Sequence, residues 1–179
     1  MMKNGNAFFY EKQHQKIWWI WLLLLAINVY LIVGAVLQLQ AEKSIGVHPS
    51  DSFALIIVCI AMLLISILVL TSSLTLCIDE KGIYVKYFPF HLKFRFFDWN
   101  NIHAAYIRRY NPILEFGGWG YRDSKFHLMQ AIRRKGIAYT VSGNIGLQLE
   151  LKNGKKILIG TRSGQQIEEV LRNLGKWSE

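Results

Sequence analysis

Two apolar stretches decide the fold: residues 17–39, IWWIWLLLLAINVYLIVGAVLQL, and residues 53–74, FALIIVCIAMLLISILVLTSSL. Each is at least as long as the roughly 20 helical residues that cross a hydrocarbon layer of ~30 Å. The segment between them, residues 40–52, is short and polar, so the pattern predicts a transmembrane helical hairpin. Neither stretch contains Asp, Glu, Lys or Arg, which argues against a charged transport path between the helices.

Two polar residues lie inside the hairpin. Asn28 falls at the midpoint of the first stretch and Ser66 near the corresponding depth of the second. In an antiparallel pair they can form a hydrogen bond between the helices, worth about 1 kcal/mol in a membrane. The first stretch is interpreted as retained rather than cleaved, because a second stretch follows at once and no small-residue cleavage site ends it.

The charge distribution predicts the orientation of the hairpin. The chain carries a net charge of +9, and seventeen of its 21 Lys and Arg lie in residues 75–179, against nine acids in the same range. Three lysines precede the first helix, whereas the loop at 40–52 has one lysine and two acids. The positive-inside rule therefore predicts that both termini are cytoplasmic and that the loop is external. Residues 1–16 form a cytoplasmic N-terminal segment, with a turn, and residues 75–179 a cytoplasmic soluble domain.

The soluble domain alternates apolar and polar residues with a period of two, which is typical of strands. Ser163, with Gln166 three residues later, predicts the start of a C-terminal amphipathic helix. Asn153 and Gly154 predict a tight hairpin. Together these signals predict an α+β domain in which about seven strands form a bent antiparallel sheet or barrel capped by the helix. The predicted strands are residues 74–78, 83–88, 92–97, 102–110, 126–132, 137–141, 146–152 and 155–161.

Several single residues and short runs are shared with one known family. They are Glu11, Gln13, Trp99, Ile102, Tyr110, Pro112, GGWGYR at 117–122, YTVSGN at 139–144, GLQLEL at 146–151 and IGT at 159–161. On these residues the chain resembles, over nearly its whole length, a family of uncharacterised bacterial membrane proteins with two transmembrane helices and a pleckstrin-homology-like (PH-like) domain. The resemblance implies a PH-like fold and a location in the bacterial inner, or plasma, membrane, and it implies no activity.

Two turns, the first at residues 117–122 and the second at residues 142–144, are explained neither by strand alternation nor by core filling, and they are the predicted binding surface. Glycines there signal sharp turns or close approach of the backbone. Within the surface, Glu115 and Arg122 are expected to pair, and Asn144 to adopt a left-handed backbone conformation. The predicted binding residues are Glu115, Gly117, Gly118, Trp119, Gly120, Tyr121, Arg122, Ser142, Gly143 and Asn144.

Basic residues suggest two further kinds of partner. Lys86, Lys93 and Arg95 are predicted to face anionic lipid, because each Lys or Arg near the inner leaflet adds about 1 kcal/mol of attraction. The basic run at 133–135 raises the question of nucleic acid. No helix-turn-helix, zinc or aromatic ribonucleoprotein signature accompanies it, so a solvated face is the favoured interpretation and no nucleic-acid partner is expected.

The sequence offers no catalytic motif. Its five histidines are scattered without an HExxH pattern, and neither a phosphate-binding loop nor a nucleophile elbow is present. Cys59 and Cys77 lack the spacing of a zinc site. We therefore expect a non-enzymatic membrane protein without metal or cofactor, whose soluble domain binds a protein partner or a second copy. The alternative is a domain that binds or senses anionic lipid, and an enzyme is the least favoured reading.

Overall fold

The computed structural model describes residues 7–14, 18–45, 50–122 and 136–178. The chain divides into two compact units. One is a helical hairpin. The other is a soluble domain built from the strand before the hairpin and the chain after it.

The hairpin consists of helix α1, Trp18–Ile45, and helix α2, Ser50–Leu70. Within them, Trp18–Gln40 and Phe53–Leu70 are long and apolar enough to cross a membrane, and only 6% of each is buried. An apolar helix in the core of a soluble protein is mostly buried. The exposure of these helices therefore favours a membrane protein.

The second helix ends earlier than predicted. It stops at Leu70, whereas the apolar stretch continues to Leu74. Leu74 is instead a fully buried residue of the next strand. A buried strand is as apolar as a membrane helix, so composition alone did not separate the two.

A hydrogen bond joins the two helices, as predicted. The Asn28 Nδ2 donates to Ser66 Oγ at 2.8 Å and to the carbonyl oxygen of Leu24 at 2.7 Å. Ser66 Oγ in turn donates to the carbonyl oxygen of Met62 at 2.7 Å. Asn28 and Ser66 are 9% and 6% exposed, so these two polar side chains lie between the helices.

Four antiparallel strands form the first sheet, in the order β1-β2-β3-β4. The third predicted strand is shorter than expected, since residues 92–94 are not part of β4. The strands are β1, Ala7–His14; β2, Ser73–Asp79; β3, Gly82–Phe88; and β4, Arg95–Asp98.

Strand β1 is absent from the sequence prediction, which assigned a turn to this segment and separated residues 1–16 from the domain. Its alternation is weak because only Phe9 and Gln13 are buried. It pairs with β2 from Ala7 opposite Asp79 to His14 opposite Ser73. The helical hairpin is thus inserted between two neighbouring strands of one sheet.

The second sheet has the order β5-β8-β9-β7-β6, and β7 pairs with β9 in parallel. A single antiparallel sheet of about seven strands is therefore not what the domain contains: nine strands in two sheets lie within the described residues. The predicted strand at 126–132 and the basic run 133–135 lie outside them. The strands are β5, Ile102–Arg109; β6, Gly120–Arg122; β7, Ile137–Thr140; β8, Ile145–Leu151; and β9, Lys156–Gly160.

Two further helices complete the soluble domain: α3, Pro112–Phe116, and α4, Gly164–Asn173. Helix α4 buries Ile167 and Leu171 against the core shared by both sheets. The amphipathic C-terminal helix is therefore present, as expected. The Ser163 side chain makes no capping hydrogen bond, so the predicted capping box is not formed.

Candidate functional site

The segment after β5 folds into the short helix α3. The Asn111 side chain accepts hydrogen bonds from the backbone N–H groups of Ile113 and Leu114, at 3.1 and 3.0 Å. Pro112 occupies the first turn, where its missing N–H has no helical partner to lose. No helix was predicted at this position, although the Asn-Pro pair is itself a helix-start signal.

The two predicted turns meet in space. The Trp119 indole Nε1 donates a hydrogen bond to the carbonyl oxygen of Gly143 at 3.0 Å. Nearby, the backbone N–H of Tyr110 donates to the carbonyl oxygen of Asn144 at 2.8 Å. The left-handed residue of the second turn is Gly143, at φ 81°, and not Asn144 as expected. Glycine adopts this conformation without steric cost, so Asn144 is free to keep an ordinary one.

The first turn contains three glycines with positive φ: Gly117 at 69°, Gly118 at 119° and Gly120 at 130°. Gly117 ends helix α3 in the left-handed conformation that is common at helix C-termini. The backbone N–H of Gly120 then donates to Thr140 Oγ1 at 3.2 Å, which starts the pairing of β6 with β7. These glycines therefore turn the chain around Trp119 and return it to the second sheet.

Glu115 pairs with a different arginine from the one expected. Its Oε2 lies 3.0 Å from Arg108 Nη1 on β5, and its Oε1 accepts from the backbone N–H of Asn111 at 2.9 Å. Arg122 instead donates to the carbonyl oxygen of Gly117 at 3.3 Å. Among the described residues, Glu115 thus holds α3 against β5, and the predicted ion pair with Arg122 is not formed.

Together α3 and the two turns border an open cleft of ≈ 440 Å³. Four predicted binding residues line it, namely Glu115, Trp119, Gly143 and Asn144, and the other six do not. The remaining lining residues are Arg109, Tyr110, Asn111, Pro112 and Ile113. Burial raises the pKa of the Tyr110 phenol to about 12, a shift that the neighbouring Thr140 hydroxyl opposes.

Exposed apolar side chains lie on α3, at positions that are not among the predicted binding residues. Ile113 is 65% exposed and Leu114 is 82% exposed. Ile113 also lines the cleft. Adjacent exposed apolar residues on a short, capped helix are not needed for the core, so they are candidates for contact with another molecule.

Tyr121 belongs to an aromatic cluster away from the cleft. Its ring centroid lies 4.7 Å from that of His91, 5.3 Å from that of Tyr139 and 5.9 Å from that of Phe90. Arg95 Nη1 donates to the Tyr139 hydroxyl at 2.9 Å. The Arg95 guanidinium is therefore directed at this cluster and not at solvent.

Ser142 has a structural partner in Arg162. The Arg162 Nη2 donates to Ser142 Oγ at 2.8 Å, while its backbone N–H donates to Glu11 Oε1 at 3.0 Å. Glu11 Oε2 also accepts from Thr161 Oγ1 at 2.6 Å. This network connects β1 to the end of β9 and to the second turn, which explains why Ser142 is held without facing the cleft.

The three predicted lipid-facing cations differ in their surroundings. Lys86 Nζ lies 5.9 Å from the ring centroid of Phe94, and Lys93 is exposed. Arg95 is turned toward Tyr139. Within the described part of the chain, no group of three His, Cys, Asp or Glu side chains is arranged to hold a metal ion.

Comparison with protein-family models, with curated protein sequences and with solved structures gives no significant match for this chain. The site therefore has to be interpreted from its own geometry.

Proposed function

We propose that this is a non-enzymatic integral membrane protein whose soluble domain binds another protein through helix α3 and the two turns. The observation that carries the proposal is the pair Ile113 and Leu114, 65% and 82% exposed, beside the cleft that Trp119 borders. Protein interfaces place apolar and aromatic anchors at the centre of a polar rim. Arg109, Asn111 and Asn144 supply such a rim.

The rigidity of this surface supports the proposal. Asn111 caps α3, Glu115 fixes the helix to Arg108, and the Trp119 indole joins the two turns. A surface that is ordered before binding loses less conformational entropy when a partner docks. Such restraint suits recognition of a folded partner or of an extended peptide.

The proposed location rests on the insertion of the hairpin between β1 and β2. Because His14 and Ser73 are paired, both ends of the hairpin leave the same end of one sheet. A hairpin that crosses a bilayer twice also returns to its starting side. The lysines before α1 and the basic soluble domain make the cytoplasmic face the proposed side, in a bacterial inner membrane.

A PH-like fold is proposed as well. Support comes from the two packed sheets, the antiparallel first sheet and the C-terminal helix α4 over the core. The parallel pairing of β7 with β9 departs from a purely antiparallel PH-like sheet. Membership of the bacterial membrane family is proposed on the GGWGYR and YTVSGN runs.

Photo-crosslinking in native membranes tests the protein-binding proposal. The full chain carries p-benzoylphenylalanine in place of Leu114, with Glu169 on α4, also exposed, as the control position. We expect an adduct with a second protein at position 114 that disappears with Ile113→Asp, and none at position 169. Recovery of the chain crosslinked only to itself would argue against a separate partner. Equal labelling at both positions would overturn the proposed surface.

Lipid binding is the alternative function. A headgroup site built from Lys86, Lys93 and Arg95 is disfavoured because Arg95 is bonded to the Tyr139 hydroxyl at 2.9 Å. Apolar and basic residues in the connection between β3 and β4 favour lipid contact instead, at a surface separate from the cleft.

A further inference from the structure

The connection between β3 and β4, residues 89–94, exposes large apolar side chains. Phe90 is 68% exposed and Leu92 is 74% exposed, and the exposed Lys93 follows them. A loop that only joined two strands would carry polar and turn-forming residues. Although the Phe90 ring lies near those of Tyr87 and Tyr121, most of its surface is exposed. Packing in the core therefore does not explain the composition of this loop, which we call the apolar loop.

The apolar loop lies at the end of the first sheet where the hairpin is attached. Ser73 is paired with His14 on one side and with Phe88 on the other. The loop begins directly after Phe88, one strand spacing of about 5 Å from Ser73. Only Thr71 and Ser72 connect Ser73 to the end of α2, a distance of at most about 10 Å along the chain.

Charge differs between the two ends of this sheet. At the end far from the hairpin connections lie Asp79, Glu80 and Asp98, with Asp98 opposite Gly82. Residues 81–97 contain no acid, and Lys86 and Lys93 lie toward the end that carries the apolar loop. Lys86 also lies across Thr75 from Lys12, which adds a third cation to the same end.

We infer that the apolar loop inserts Phe90 and Leu92 into the interfacial layer of the bilayer that the hairpin spans, with Lys86 and Lys93 beside anionic lipid phosphates. Apolar side chains flanked by Lys are the composition of segments that lie ~5–10 Å deep at the boundary of headgroups and acyl chains. Because only Thr71 and Ser72 join α2 to Ser73, the chain connection keeps this end of the sheet within reach of the membrane surface. Shallow insertion of the loop therefore does not depend on a separate binding step from solution. The inference rests on the proposed membrane insertion of the hairpin, and it is independent of the protein-binding surface.

The contact has two parts that respond differently to lipid composition. Insertion of Phe90 and Leu92 depends on an apolar layer and occurs with neutral lipid too. Attraction of Lys86 and Lys93 depends on anionic headgroups and is screened by salt. We therefore expect deeper or more frequent insertion in anionic than in neutral membranes.

Lipid quenching of a fluorescent probe tests the inference in the full chain. An NBD group is attached to Leu92→Cys in a Cys59→Ala, Cys77→Ala background, and the protein is reconstituted into vesicles of phosphatidylcholine with or without phosphatidylglycerol. Lipids carrying a nitroxide near the headgroup act as the quencher. Asn100→Cys, exposed at the opposite end of the sheet, is the matched control. Val33→Cys in α1 reports insertion of the hairpin itself, using a nitroxide deep in the acyl chain.

We expect several-fold greater headgroup quenching at position 92 than at position 100, increased by phosphatidylglycerol and reduced by Lys86→Gln with Lys93→Gln. Equal quenching at 92 and 100, with position 33 quenched, would overturn the inference while leaving the membrane location intact. A probe at 92 that is shielded from water but not quenched by lipid would also overturn it, in favour of a protein contact. Loss of quenching at position 33 would overturn the membrane insertion on which both proposals depend.

Discussion

The hairpin and the soluble domain bury opposite kinds of side chain. Among the described side chains of the hairpin, Asn28 and Ser66 are the buried ones, whereas most of the leucines, isoleucines and valines are exposed. In the soluble domain, residues such as Leu74, Leu149 and Ile159 are fully buried. Each unit therefore buries the kind of side chain that its own surroundings, lipid or water, solvate poorly. Burial of apolar area stabilises the domain in water, whereas polar bonding and close packing associate helices in lipid.

A Leu→Ala substitution made once in each unit tests this contrast with the largest expected effect. Leu149→Ala removes a fully buried side chain from the soluble core and should lower the free energy of unfolding by about 3 kcal/mol. Leu64→Ala, 56% exposed on α2, should change the free energy of helix association in bilayers by less than about 0.5 kcal/mol. Urea unfolding of the soluble domain in the full chain, followed by tryptophan fluorescence, measures the first change, and a helix-association assay in bilayers measures the second. Equal losses would contradict the contrast.

A buried hydroxyl in the soluble domain makes its stability depend on pH. The folded-state pKa of Tyr110, about 12, exceeds the ordinary value of the phenol, near 10. The contribution of the neutral phenol is therefore fully present below about pH 10 and is lost as the pH approaches 12. We expect about 2 kcal/mol of alkaline destabilisation that Tyr110→Phe abolishes.

The difference in urea midpoint between neutral and alkaline pH measures this effect. Tyr10→Phe serves as the control, because the Tyr10 side chain on β1 is 59% exposed. If the alkaline loss were the same in wild type and Tyr110→Phe, burial of this phenol would not be its source.

The polar bond inside the hairpin should be worth less than an apolar core residue of the soluble domain. A double-mutant cycle of Asn28→Ala and Ser66→Ala should give a coupling of about 1 kcal/mol for helix association in bilayers. Val29→Ala, exposed beside Asn28, is the matched control and should cost little. A coupling near zero would show that packing alone holds the two helices together.

The smallest expected effect is at the surface of the soluble domain. Glu115→Gln removes the charge opposite Arg108, at 3.0 Å, but keeps the oxygen that caps Asn111. We expect a loss of about 0.5 kcal/mol that vanishes in high salt, because the pair is partly solvated. Glu168→Gln, which removes the i,i+4 partner of Arg172 on α4, is the control. A larger loss of unfolding free energy that persists in high salt would show that the Glu115–Arg108 pair acts as a buried ion pair instead.

The local features were predictable from sequence where the signal is short-range. Two long apolar stretches sufficed for the hairpin, and the depths of Asn28 and Ser66 sufficed for their bond. The hairpin between β8 and β9 also forms around Asn153 and Gly154, although four residues separate the strands instead of the predicted two, and only Gly154 of the pair has positive φ. In each case the interacting residues are adjacent in sequence, or their distance along a helix fixes their position.

Long-range pairing could not be predicted in the same way. Strand β1 finds its partner β2 beyond the whole hairpin, and the parallel pairing of β7 with β9 skips an intervening strand. For the candidate site, both turns were predicted to belong to one binding surface, but the pairing of Glu115 with Arg108 instead of Arg122 was not predicted. That choice depends on how β5 lies beside α3, which the spacing of charges along the chain does not encode.

The insertion of the hairpin between β1 and β2 orders events during synthesis. Strand β1 is made before either helix, and its partner follows only after both. If a single helix crossed the bilayer, the two strands would be on opposite sides and Glu11 could not reach Thr161 at the end of the last strand. On the proposed arrangement, the first sheet can be completed only when both helices cross the bilayer. A chain inserted with one helix would leave the edge of β2 unpaired and open to proteases.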